Sequence, residues 1–162
     1  MNVTADYNSQ ELGAMLDALL KGATLGDVAG VDKEALEAGY ALAYSLYSSG
    51  NFKDAETMFK ALCLYDNNDE RFWLGLAGCR QMNGDLAGAV DAYAFAGVAG
   101  GLSNPSPLVH AGLCWLKLGD KENAAALFRA ALELGAADND EHEGYRERAH
   151  AVLDLMDKEE RP

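Results

Sequence analysis

Residues 50–62 read GNFKDAETMFKAL, residues 84–96 read GDLAGAVDAYAFA and residues 119–131 read GDKENAAALFRAA. Each string sets Gly, four residues, Ala, three residues, then a ring: Gly50/Ala55/Phe59, Gly84/Ala89/Tyr93 and Gly119/Ala124/Phe128. The strings recur at 34 and 35 residues, and self-similarity at about that period marks a stacked two-helix unit. The small Ala is where the two helices of one unit cross closely, and a larger side chain there would push them apart. The ring lies one turn further along the same face and fills the space between neighbouring units.

Ahead of each Gly lies a second helix-length segment with apolar residues at helical spacing, as in Phe72, Trp73, Leu76 and Ala77, or Leu108, Ala111, Gly112 and Trp115. Every unit is therefore helix, Gly turn, helix, with the length of a tetratricopeptide repeat. The punctuation agrees. Asp32 is placed to cap the first helix, which runs to about Ser48 and stops at Gly50. Asn68 or Asp69 caps the second pair, and the third begins at SNPSP, where proline suits a first turn. The expected fold is all-α: three tetratricopeptide-like helix hairpins in a superhelix, at about 36–68, 69–103 and 105–135 within a 32–135 block. Residues 1–31 form an N-terminal helical segment, with a helix over 8–21 that breaks at GATLGDVAGV. Residues 136–162 form a C-terminal capping helix, over 142–158, and an acidic tail.

Composition narrows the function. The 162 residues carry 49% hydrophobic and 24% charged residues, an ordinary globular balance. Lys and Arg number 13 against 26 Asp and Glu, a formal charge of −13 that repels nucleic acid and anionic lipid at long range. No apolar run reaches the roughly 20 residues of a membrane span. The start MNVTADYNSQE lacks the basic region of a secretory signal, so a cytoplasmic location is expected. Cys63, Cys79 and Cys114 have no CxxC or Cys/His spacing and read as small buried hydrophobes.

No catalytic constellation stands out. His110, His142 and His150 have no carboxylate or Cys at ligand spacing, so neither metal nor cofactor is expected. AGVAGG follows a helix rather than a strand, and DNDEHEGYRE and DKEE read as solvated surface. A non-enzymatic binding protein is the expectation.

The repeat register then points to the binding surface. With the repeat Ala at position 20, Tyr40, Tyr44 and Tyr47 fall at positions 5, 9 and 12, which line the inner groove of such folds. Equivalent positions are Leu74, Gly78 and Gln81 in the second unit and Val109, Leu113 and Leu116 in the third. Tyrosine gives a large contact area with few torsions to freeze and a hydroxyl that tolerates water, where an exposed Leu would favour aggregation. The surface is apolar and aromatic rather than cationic, so it favours an extended segment with apolar anchors over a charged chain terminus. On the N-terminal helix, Leu12, Met15, Leu16 and Leu19 share a stripe that either caps the first unit or forms a dimer contact.

LEAGYALAYSLYSSGNFKDA, FKALCLYDNNDERFWLGLAGCRQ and the preceding GATLGDVAGV resemble the class II chaperones of bacterial type III secretion, the LcrH/SycD type. The likeness runs from about Gly22 to Leu134 and thins in the third unit and at both termini. The resemblance implies a cytoplasmic chaperone that holds two hydrophobic translocator proteins apart and soluble, each by a short N-terminal segment laid in the groove. It also implies a homodimer in the absence of cargo, and in some members assistance to a transcriptional activator. The alternative is a general tetratricopeptide adaptor or scaffold for another protein.

Overall fold

The Gly-Asp pairs that mark the repeat end one helix and start the next. Gly84 and Gly119 have φ of 86° and 84°, in the left-handed region where a side chain is strained. The N–H groups of Asp85 and Asp120 donate back to the carbonyls of Arg80 and Trp115 at 2.9 and 3.0 Å, the six-to-one bond of a Schellman stop. The same two carboxylates then accept from the N–H groups of Gly88 and Asn123, capping the helix that follows. Gly50 and Asn51 make the same stop, with Asn51 N–H on the Leu46 carbonyl, but Asn51 spends its side chain on Asp54 instead of on a cap.

The computed structural model describes residues 9–135 and 139–159. They form α1 (Ser9–Leu20), α2 (Leu25–Ala29), α3 (Lys33–Ser48), α4 (Phe52–Tyr65), α5 (Glu70–Met82), α6 (Leu86–Ala99), α7 (Ser106–Leu118), α8 (Lys121–Leu132) and α9 (Asp140–Glu159). Helices α3 to α8 are the three hairpins, each packing on the next, and α9 packs on both α7 and α8. Asp32 and Asp69 cap α3 and α5 through the N–H groups of Glu34 and Arg71. The GATLGDVAGV stretch, expected as a break, holds the short α2. Thr24 and Asp27 close a reciprocal capping box that makes one turn worthwhile there. The acidic tail beyond residue 159, and the run 136–138 that leads into α9, lie outside the described residues.

Ala55, Ala89 and Ala124 are fully buried, as are Ala43 and Ala77 on the facing helices. Phe59 and Phe128 are inaccessible and Tyr93 nearly so. Gly75 shows why the fit is close: a Cβ there would stand 2.2 Å from Cε1 of Phe59. Phe59 thus lies flat on the bare backbone of α5, joining the first hairpin to the second. Polar ties repeat at the unit period as well. Arg71 binds Glu37, 34 residues earlier, and Asn104 Nδ2 donates to Glu70 Oε1 at 2.9 Å across the same interval. Asn104 Oδ1 in turn accepts from the Ser106 N–H, so one side chain both anchors the loop and ties down the residue that opens α7. The three cysteines are buried thiols, and burial pushes Cys63 up to about 12 and Cys79 up to about 11.

Candidate peptide-binding groove

The first helices of the hairpins and α9, with Phe59 of α4 and Tyr93 of α6, line a cavity of about 540 Å³. Tyr40, Tyr44 and Tyr47 from α3 form one wall, and Leu74, Gly75 and Gly78 from α5 form the floor. Tyr93, Ser106, His110, Glu141 and Tyr145 close the far side. The helical period explains the α3 wall: positions four and then three apart return to one face. Tyr44 is 57% exposed, whereas Tyr40 is half-buried, with its ring 6.1 Å from Phe59 and 5.9 Å from Phe72. Tyr47 stands edge-on to Phe52 at 5.3 Å. The wall therefore has rooted rings on either side of one exposed ring, which leans on Tyr40 at 6.3 Å.

Gly78 has a role that its helical backbone does not require. A Cβ there would meet Cε2 of Tyr47 at 3.4 Å, so the missing side chain keeps the floor open beneath that ring. Gln81 is not in the cavity lining. Its Oε1 accepts from the Tyr93 hydroxyl at 2.9 Å and holds that ring in place from behind. Burial raises the pKa of Tyr47 and Tyr93, so both hydroxyls remain donors at any working pH.

The third-hairpin residues expected here are placed elsewhere. Val109 is fully buried among Phe128, Ala124 and Met156, and Leu113 and Leu116 pack on the same cluster. The physical reason is α9, whose Tyr145, Val152 and Leu153 join that cluster and occupy the inner face of α7. In their place Ser106 and His110, one turn apart on α7, reach the cavity. Sequence reasoning missed these two, Arg71, and the Glu141 and Tyr145 pair of α9. The four-residue spacing of Glu141 and Tyr145 was the available signal.

His110 stacks on Tyr93 at 5.4 Å and meets Tyr145 edge-on at 5.7 Å. Burial, and secondarily Arg148, lower its pKa below the ordinary 6.5. The unfolded chain then binds the proton first as the pH falls, so His110 costs no stability above 6.5 and takes stability away progressively below it. Thermal melts of wild type and His110→Gln should diverge below that pH, with the wild-type midpoint falling more steeply. Parallel curves from neutral to acidic pH would contradict this.

A larger cavity of about 690 Å³ lies on the other side of α4 and α5, between Leu19, Leu25, Leu64 and Trp73. Its cations are already engaged: Lys60 pairs with Glu56 at 2.7 Å, and Arg80 Nη1 donates to the Gly88 carbonyl at 2.9 Å. It has no aromatic wall of the kind found in the inner groove. Of the N-terminal stripe, Leu12 and Leu16 are exposed on α1, Met15 is half-buried, and Leu19 borders this outer cavity. Among the described residues no cluster of His, Cys, Asp and Glu has metal-holding geometry, and no helix is long and apolar enough to cross a membrane.

A family model described as a tetratricopeptide repeat matches residues 40–97 and 106–141. The low calcium response locus protein H of Yersinia pestis is 32% identical over 150 residues, 92% of this chain and 88% of the relative. The type III secretion translocator chaperone SycD of Yersinia enterocolitica superposes with a TM-score of 0.75 at 33% identity, covering 83% of this chain and 98% of the other. PcrH, solved in complex with the chaperone binding region of PopD, superposes with a TM-score of 0.74 at 35% identity, over 80% and 96% of the two chains. With a tetratricopeptide model over more than half of the chain and a relative 32% identical over most of both chains, the chain belongs to the tetratricopeptide chaperones of type III secretion, the LcrH/SycD family.

Proposed function

We propose that this chain keeps hydrophobic translocator proteins soluble and ready for secretion by holding an extended segment of each in the groove. The observation that carries this reading is the tyrosine wall of Tyr40, Tyr44 and Tyr47 over an open floor at Leu74 and Gly78. A groove of rings and bare backbone accepts apolar anchors from an extended chain, and the hydroxyls keep it wettable when empty. Gln81 contributes by fixing Tyr93. Sequestration works by mass action: a partner that binds the soluble form draws the translocator away from aggregation.

The work is binding, without chemistry. The chain acts in the cytoplasm, where a translocator waits before export. Without cargo it pairs with a second copy through Leu12, Met15, Leu16 and Leu19, and once cargo has left it is free to assist a transcriptional activator. Two different translocators share the one groove in turn. The high negative charge limits self-association of a protein with an apolar groove.

Co-expression with the translocator genes of the same secretion system tests the reading. Each translocator should move from the pellet to the soluble fraction and co-purify with the chain. Translocators that stay insoluble and fail to co-purify would leave a general tetratricopeptide adaptor as the better description.

A further inference from the structure

The groove already holds one guanidinium. Arg71 lies 4.9 Å above the centre of the Tyr40 ring, and its nitrogens bind the carboxylates of Glu37 and Asp69. Those hydrogen bonds push its pKa up, so this cation is permanent and fully engaged. A ring face and two carboxylates hold this partly exposed guanidinium in place.

On the α9 side one carboxylate and one ring border the cavity. Glu141 and Tyr145 are one turn apart on α9 and both line the cavity, with Tyr145 set against His110. Glu141 is in none of the ion pairs that Lys21, Lys60, Arg71, Arg80 and His150 make, nor in that of Arg146 with Glu143. His110 is neutral in this setting. Arg148 lies seven residues beyond Glu141, about 10 Å along the helix, which is near the screening length at ordinary salt. Glu141 is exposed in the first turn of α9, where the helix N-terminus favours a carboxylate, and the charge it presents at the cavity is negative, beside the ring of Tyr145.

We propose that Glu141 and Tyr145 form a cation subsite that selects cargo segments carrying Lys or Arg beside the apolar anchors, and rejects an acidic residue at that place. The inference rests on the groove reading above. The apolar anchors supply most of the affinity, and Glu141 sets which flank of the segment lies toward α9. Electrostatic matching of this kind contributes discrimination more than total affinity.

Three fluorescent peptides provide the test. They share leucine anchors in an extended, proline-flanked sequence and differ only in the residues just outside the first and last anchors, which are lysine, glutamine or glutamate. Fluorescence anisotropy on the full chain should rank lysine over glutamine over glutamate, each step about three- to tenfold at low salt, the range of a partly exposed ion pair with ring contact. In Glu141→Gln the lysine preference should collapse, and in Glu141→Lys the order should reverse. Equal binding of all three peptides to wild type, or an unchanged lysine preference in Glu141→Gln, overturns the subsite while leaving the groove standing. If none of the three binds, the groove reading and the subsite fall together.

Discussion

Replacing Tyr40 and Tyr47 together by alanine is expected to weaken capture of an extended apolar segment by about a hundredfold or more, since buried tyrosine anchors commonly cost about 2 kcal/mol each when truncated. The two rings flank the cavity, and both are rooted in the hairpin rather than waving in solvent. Rooted rings give up little freedom on binding, so most of their contact area becomes affinity. The same roots mean that the double variant also loses core contacts, and its melting temperature should fall. Tyr44 separates the two effects. Its ring is more than half exposed, so Tyr44→Ala should leave the melt nearly unchanged and still weaken binding about tenfold. Titration calorimetry with a translocator segment, read beside circular dichroism, gives both quantities. If Tyr44→Ala and the double variant bind as wild type does while remaining helical, the groove is not the binding site.

Gly75→Ala should be among the most damaging single-methyl additions in the chain. The new methyl would stand 2.2 Å from Cε1 and 2.3 Å from Cζ of Phe59. Phe59 is inaccessible and packs in one cluster with Ala55, Tyr40 and Leu62, so it can yield to the methyl only by giving up those contacts and pushing its ring into the groove cavity it borders. Overpacking of this kind costs about 1–3 kcal/mol, and the usual gain of up to about 1 kcal/mol for Ala over Gly in a helix does not offset it. Gly78→Ala, three residues on, is the control. Its methyl meets Tyr47 only at 3.4 Å, so helix propensity should prevail and the melt should rise while the groove narrows. Opposite shifts of the two melting temperatures support this packing; a shared direction would contradict it.

Hairpins were legible in the sequence because their determinants are local. Gly84, Asp85 and Ala89 lie within six residues and encode a stop, a cap and a close crossing together. The α3 wall was legible for the same reason, since one helix carries Tyr40, Tyr44 and Tyr47. The third-hairpin side of the groove was not. Whether Val109 or His110 faces the cavity depends on where α9 docks, and α9 begins at Asp140, well downstream of both. A repeat register assumes that each unit sees equal neighbours, and a terminal unit does not. Short α2 was hidden for another reason: its helix rests on the Thr24 and Asp27 box rather than on an apolar stripe.

That docking of α9 has a consequence for how copies of the chain meet. A stack of hairpins is open at both ends by construction, and an open stack invites endless addition. Here α9 covers the end at α7 and α8, while the other end presents Leu12 and Leu16 of α1. Self-association through the α1 end alone joins like to like about a two-fold axis, which closes after two copies. A fibre needs two complementary ends, and α9 has taken one of them away.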